Sequence, residues 1–82
     1  MKKYKLTDEA IKYNYVTLYR IEALRNFGPI KAGDKGGFVQ SYHNLSQEED
    51  CWIHGEAKVF GNAKVYGNAS VYGNASVFGN AK

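Results

Sequence analysis

The chain has 82 residues, with 11 lysines and arginines, 8 aspartates and glutamates and a single cysteine; this describes one small domain, or a small domain fused to a short repeat array. Its net charge of +3 is far from the dense basic stripe of a duplex-DNA binder, and Cys51, without a second thiol in the chain, leaves no intrachain disulfide and reads as an intracellular protein. No apolar run reaches signal-peptide or membrane length, so the expectation is a soluble, cytoplasmic chain without a membrane partner.

Residues 1–46 hold eight basic side chains against four acidic ones, and residues 47–82 hold three against four. A mildly basic front half suits an anionic ligand and is equally an ordinary solvated surface. Tyr4-Lys5-Leu6 fits a hairpin partner for the strand that follows, while residues 7–10, Thr-Asp-Glu-Ala, fit a capped helical turn as well. Residues 15–24 are rich in β-branched and aromatic side chains in partial alternation, which predicts a strand. Phe27-Gly28-Pro29 carries a turn signal, Gly33-Asp34-Lys35-Gly36-Gly37 reads as a second turn, and Phe38-Val39 opens another short strand. Residues 1–46 are therefore expected to form a β-rich capping segment.

Residues 47–82 are a repeat. From Val59 the sequence reads VFGNAK, VYGNAS, VYGNAS, VFGNAK. Ile53-His54-Gly55-Glu56-Ala57-Lys58 keeps the register, and Gln47-Glu48-Glu49-Asp50-Cys51-Trp52 still fits it, with Cys51 at the small-residue position. The aliphatic residue and the alanine two places before it alternate with polar or aromatic residues, as in a strand with one buried face. Gly-Asn falls between strands, where positive φ is tolerated. Glycine every six residues argues against helix.

The pattern V-x-G-N-A-x resembles the hexapeptide repeat of left-handed parallel β-helix proteins, in which three hexads make one triangular coil. That resemblance implies an all-β fold: a short parallel β-solenoid of about two coils, with Cys51, Ile53, Val59, Val65, Val71 and Val77 inside. Residues eighteen apart then stack, Ile53 under Val71, Val59 under Val77 and Ala63 under Ala81, with His54 beside Tyr72, Phe60 beside Phe78 and Asn62 beside Asn80 outside. In the front half, residues 20–27 (RIEALRNF), Lys31-Ala32-Gly33-Asp34, residues 36–39 (GGFV), Asn44-Leu45-Ser46 and residues 50–53 (DCWI) resemble the entry segment of small hexapeptide-repeat proteins of phages and prophages, the YdcK-like proteins. Glu49 departs from the family, standing where a corner glycine is usual.

Two coils leave every strand with one neighbour in the array, so the C-terminal coil is expected to stack on another copy, most simply as a two-fold dimer, the alternative being that the chain is a fragment of a longer array. The fold hosts many acyltransferases, but fold analogy supplies no activity; His43 and His54 are the two histidines, and His54 occupies a column otherwise filled by Tyr or Phe. No metal, cofactor or catalytic group is expected: Cys51 reads as a buried structural thiol, and the histidines are not at ligand spacing around it. The outward aromatics Trp52, Phe60, Tyr66, Tyr72 and Phe78 read either as stabilising ladders or as a binding surface. Joined by Arg20, Arg25, Lys31 and His54, they suit an anionic small molecule such as a nucleotide. The expectation is thus a non-catalytic, oligomerising interaction module. The alternative is a phage counter-defence protein, working in the host cytoplasm, that sequesters a nucleotide signal or blocks a host protein; a degenerate acyltransferase ranks below both.

Overall fold

The computed structural model describes residues 2–13 and 15–78. Strands β1 (Tyr4–Tyr13) and β2 (Val16–Ala23) form an antiparallel hairpin, in register from Tyr4 opposite Ala23 to Tyr13 opposite Val16. The choice left open at residues 7–10 falls to strand. The register slips between Leu6 and Ala10, where Thr7 Oγ1 donates to the Arg20 carbonyl (2.9 Å) and in turn accepts the Glu9 N–H (3.2 Å). The threonine hydroxyl thus takes up main-chain groups that the bulge removes from the ladder.

Strand β3 (Lys35–Val39) pairs antiparallel with β2, Arg20 facing Phe38. Gly36 and Gly37, expected in a turn, lie inside this strand. The reason is close packing: a β-carbon on Gly36 would sit 2.6 Å from the Ile53 carbonyl oxygen, and one on Gly37 would overlap the Ala57 carbonyl.

The other edge of β3 pairs in parallel. Phe38 and Val39 lie against Lys58 and Val59 of β5 (Lys58–Val59), which lie in turn against Ser76 and Val77 of β7 (Ser76–Val77). The resulting five-stranded sheet, β1-β2-β3-β5-β7, is therefore mixed, an antiparallel meander continued by a parallel stack. A second parallel ladder joins β4 (Trp52–Ile53) to β6 (Ser70–Val71), and Leu45 bridges Val65 in a third. The lower pairs are eighteen residues apart and the upper ones twenty. The two additional residues fall between Leu45 and Ile53. The chain is all-β, with one 3-10 turn (Tyr42–Asn44) among the described residues. The expected pairs Ile53–Val71 and Val59–Val77 are present; Ala63–Ala81 and Asn62–Asn80 reach outside the described residues.

Corners share one conformation. Gly55, Gly61, Gly67 and Gly73 have φ between 61° and 69°, and Glu49 adopts φ 58° in the same role. Glu49 therefore keeps the corner's left-handed conformation at a cost that glycine would not incur. The corner before Leu45 is different. There Asn44 is fully buried, its Oδ1 accepting from the N–H groups of Gln40 and Ser41 (3.0 Å each) and its Nδ2 donating to the carbonyls of Gly61 (3.2 Å) and Ala63 (2.8 Å).

Val39, Leu45, Cys51, Ile53, Ala57, Val59 and Ala63 have no exposed surface, and Tyr4, Ile21, Ala23, Phe27 and Ile30 close over them in one cluster. A second cluster, Leu18, Phe38 and Phe60 with Ile11, Tyr13 and Val16 against it, lies where the hairpin covers the other side of the sheet.

Candidate interaction surface

Trp52 and Phe60 were expected to face solvent, and both are buried (2% and 6% exposed). Each does leave the repeat on its outward side, but the N-terminal segment covers it. Tyr4 and Phe27 pack edge-on against Trp52 at 6.3 and 5.3 Å between ring centroids, and Tyr13 packs edge-on against Phe60 at 5.6 Å. Periodicity places a side chain on a face of its own repeat; it is silent on what the rest of the chain lays over that face.

Tyr66, Tyr72 and Phe78 remain exposed (67, 64 and 58%). They follow Val65, Val71 and Val77 and so belong to three separate parallel ladders rather than to one patch. Two of them extend stacked columns. Tyr72 lies flat on His54 (4.4 Å, 10°), and Phe78 lies flat on Phe60 (5.1 Å, 6°). Burial lowers the pKa of His54 below its ordinary 6.5.

Arg20 is occupied internally. Its Nε donates to Glu9 (2.8 Å), Nη2 to Glu56 (3.0 Å) and Nη1 to the Gly36 carbonyl (2.7 Å), with the guanidinium 4.3 Å over the Phe38 ring. Desolvation is the largest single effect and works against its charge, but the hydrogen bonds to Glu56 and Glu9 together with the charges of both carboxylates outweigh it and raise its pKa. These contacts tie the hairpin to β3 and to the corner at Gly55-Glu56. Arg25 lies 5.7 Å from the Phe27 ring, and Lys31 is exposed, its main-chain N–H donating to Asp34. Arg20, Arg25 and Lys31 thus contact Glu9, Gly36, Glu56, Phe38, Phe27 and Asp34, while Tyr72 and Phe78 stack on His54 and Phe60.

Lys3 was not singled out by the sequence, and it is the one charged residue that is fully buried among the described residues. The residue is fully buried, and its Nζ donates to the carbonyls of Cys51 (2.8 Å), Glu48 and Glu49 (3.3 Å each). It also lies 3.3 Å from Cys51 Sγ. The ammonium thus holds the stretch that carries the two additional residues and the left-handed Glu49. Next to it, Gln47 Oε1 accepts the N–H groups of Lys3 (2.7 Å) and Tyr4 (3.2 Å), and the Tyr4 hydroxyl donates to the Leu45 carbonyl (2.5 Å). One lysine among three near the start of a chain offers no periodic signal to mark it.

The lower layer is built differently. Val71 and Val77, in the same columns as the fully buried Ile53 and Val59, are partly exposed. The main-chain N–H groups of Trp52, His54, Lys58 and Phe60 donate to the carbonyls of Ala69, Val71, Ala75 and Val77, which satisfies the upper edge of β6 and β7. Among the described residues no strand pairs with their other edge. Residues 65–78 also contain no charged side chain, whereas the layer above carries Lys58 in the column that ends at Ser76.

No protein-family model matches the chain. Among curated proteins, 64 residues are 33% identical to part of the uncharacterized acetyltransferase YdcK of Escherichia coli (strain K12). The aligned stretch is 68% of this chain and 20% of that protein, so the chain spans one fifth of the length of the relative it matches.

Proposed function

We propose that the chain is a non-catalytic, oligomerising parallel β-solenoid that serves as an interaction module. Its N-terminal strands cap one end of the stack, and its lower layer is the associating end. The observation that carries this reading is the contrast within single columns, where Val39 and Val59 are fully buried and Val77 beneath them is not. Such a gradient fits a stack closed at its upper end, whose lower columns are left for a further layer to cover. Support for the repeat comes from the eighteen-residue parallel spacing, the recurring positive-φ corners and the partial likeness to YdcK. Light scattering after size exclusion, across a dilution series, tests the proposal. Association at micromolar concentration is the expected result; a folded monomer throughout the series refutes it.

The nucleotide-sequestering alternative has less support, because the donors of Arg20 are engaged with Glu9, Glu56 and Gly36. The word acetyltransferase in the relative's name makes one control worthwhile. Release of free coenzyme A thiol from acetyl-coenzyme A with simple amine acceptors is expected to stay at background, and turnover lost in His54→Ala would overturn the non-catalytic reading.

A further inference from the structure

We propose that the outer half of the hairpin, residues 10–18, is a flap that opens as one unit while the coils stay folded, with Arg20 as the latch that holds it down. Opening bares Phe38, Phe60 and Lys58 on one outer face of the stack.

The ladders show where the flap begins. Strand β1 loses register against β2 between Leu6 and Ala10, and β2 loses register against β3 between Arg20 and Glu22. Both interruptions fall at the level of Arg20, so bending there breaks few regular ladder bonds. The pairing of β2 with β3 ends at Tyr19 opposite Val39. Beyond it, Val16, Thr17 and Leu18 pair with Tyr13, Lys12 and Ile11 of β1, and no other strand joins them among the described residues. A two-stranded ribbon is marginal by itself and stays folded through what it packs on.

The packing divides at the same level. The inner half of the hairpin gives Tyr4, Ile21 and Ala23 to the main core. The outer half gives Leu18, Ile11, Tyr13 and Val16 to a separate cluster on Phe38 and Phe60. No side chain belongs to both. Leu18 is fully buried, whereas Ile11, Tyr13 and Val16 are half-buried. Tyr13 supplies three further contacts with the coil: its ring meets Phe60 edge-on at 5.6 Å, Lys58 Nζ lies 5.2 Å from the ring centroid, and its Oη lies 3.4 Å from Ser76 Oγ. A unit with its own small cluster and few buried contacts opens at lower cost than the whole domain.

Arg20 sits at the hinge. Its Nε and Nη2 join Glu9 of β1 to Glu56 of the corner, while Nη1 reaches the Gly36 carbonyl and the guanidinium covers Phe38. The side chains of Glu9 and Glu56 are 52% and 59% exposed, so salt weakens both pairs. The latch is ionic and the surface it hides is aromatic and cationic. Ionic strength therefore sets how often that surface is bared.

Amide hydrogen exchange of the wild type and of Glu56→Gln, resolved by residue and measured at one chain concentration, tests the flap. Amides of residues 11–18 are expected to be protected about tenfold less, or lower still, than those of Ile53 and Val59, through an opening that barely responds to low urea. Glu56→Gln is expected to speed exchange of residues 11–18 about two- to fivefold and leave Ile53 and Val59 unchanged. A rise to about 0.5 M salt is expected to do the same in the wild type. Trp52 belongs to the main core, so its unchanged fluorescence verifies that the coils of the variant are intact. Equal protection and equal urea dependence of the two sets of amides refute the flap. A variant that speeds both sets alike, or neither, refutes the latch.

Discussion

Replacing Lys3 by methionine keeps the apolar stem of the side chain and removes its three donors. The carbonyls of Cys51, Glu48 and Glu49 then lose their partner, at 2.8, 3.3 and 3.3 Å. The Cys51 carbonyl is in buried surroundings, and a charged hydrogen bond of that kind is worth about 1.5–3 kcal/mol. The other two bonds are longer and only part-buried, so water can replace much of what is lost. A total of about 2–4 kcal/mol follows, a large fraction of the ~5–15 kcal/mol typical of a small domain. Urea unfolding followed by the fluorescence of Trp52 measures it directly, because Trp52 is the chain's one tryptophan and packs against Phe27, which lies 5.0 Å from Lys3 Nζ. Both proteins must be compared at one chain concentration, since association adds to apparent stability. A loss below about 0.5 kcal/mol, the scatter expected of an ordinary surface substitution, would refute the role given to this ammonium.

Glu49→Gly should stabilise the chain by about 1 kcal/mol, because Glu49 holds φ 58° in a corner that glycine occupies elsewhere; calorimetry at neutral pH checks it. Gly37→Ala should destabilise by roughly 2–3 kcal/mol or more, since the new methyl meets the Ala57 carbonyl and lies 2.5 Å from Ile53 Cγ2; denaturant midpoints report the loss. His54 has a folded-state pKa below its ordinary 6.5, so its neutral form is the one the fold favours. Its contribution is present above pH 6.5 and is lost as pH falls through the lowered value. The difference between wild type and His54→Gln in unfolding midpoints between neutral and mildly acidic pH should shrink accordingly.

The inward columns were legible because each position repeats a local rule: an aliphatic residue every six places, with a left-handed corner between. Cys51 in its buried position and Glu49 in its corner follow from register alone. The front half obeyed a different constraint. Gly36 and Gly37 look like a turn in isolation, yet they lie in a strand because Ile53 and Ala57, far along the chain, leave no room for a β-carbon. Trp52 and Phe60 show the same limit from the other side, since Tyr4, Phe27 and Tyr13 bury them across long separations. Lys3 is the extreme case. Its partners are three main-chain carbonyls more than forty residues away, a contact for which side-chain identity carries almost no code.

The two ends of the stack have opposite chemistry for the same physical reason. An exposed coil end offers unpaired main-chain groups and apolar columns, and these must be either covered or guarded. At the upper end the chain covers them itself, with Tyr4, Ile21, Phe27 and Ile30 over the columns and Lys3 on the carbonyls of the irregular corner. That solution needs side chains specific to one place, which is why it is not repetitive. In the lower layer residues 65–78 carry no charge and the ladders of β6 and β7 show no bulge among the described residues, while Lys82 stands in the same hexad as Val77. The proposed association rests on that difference between the two layers.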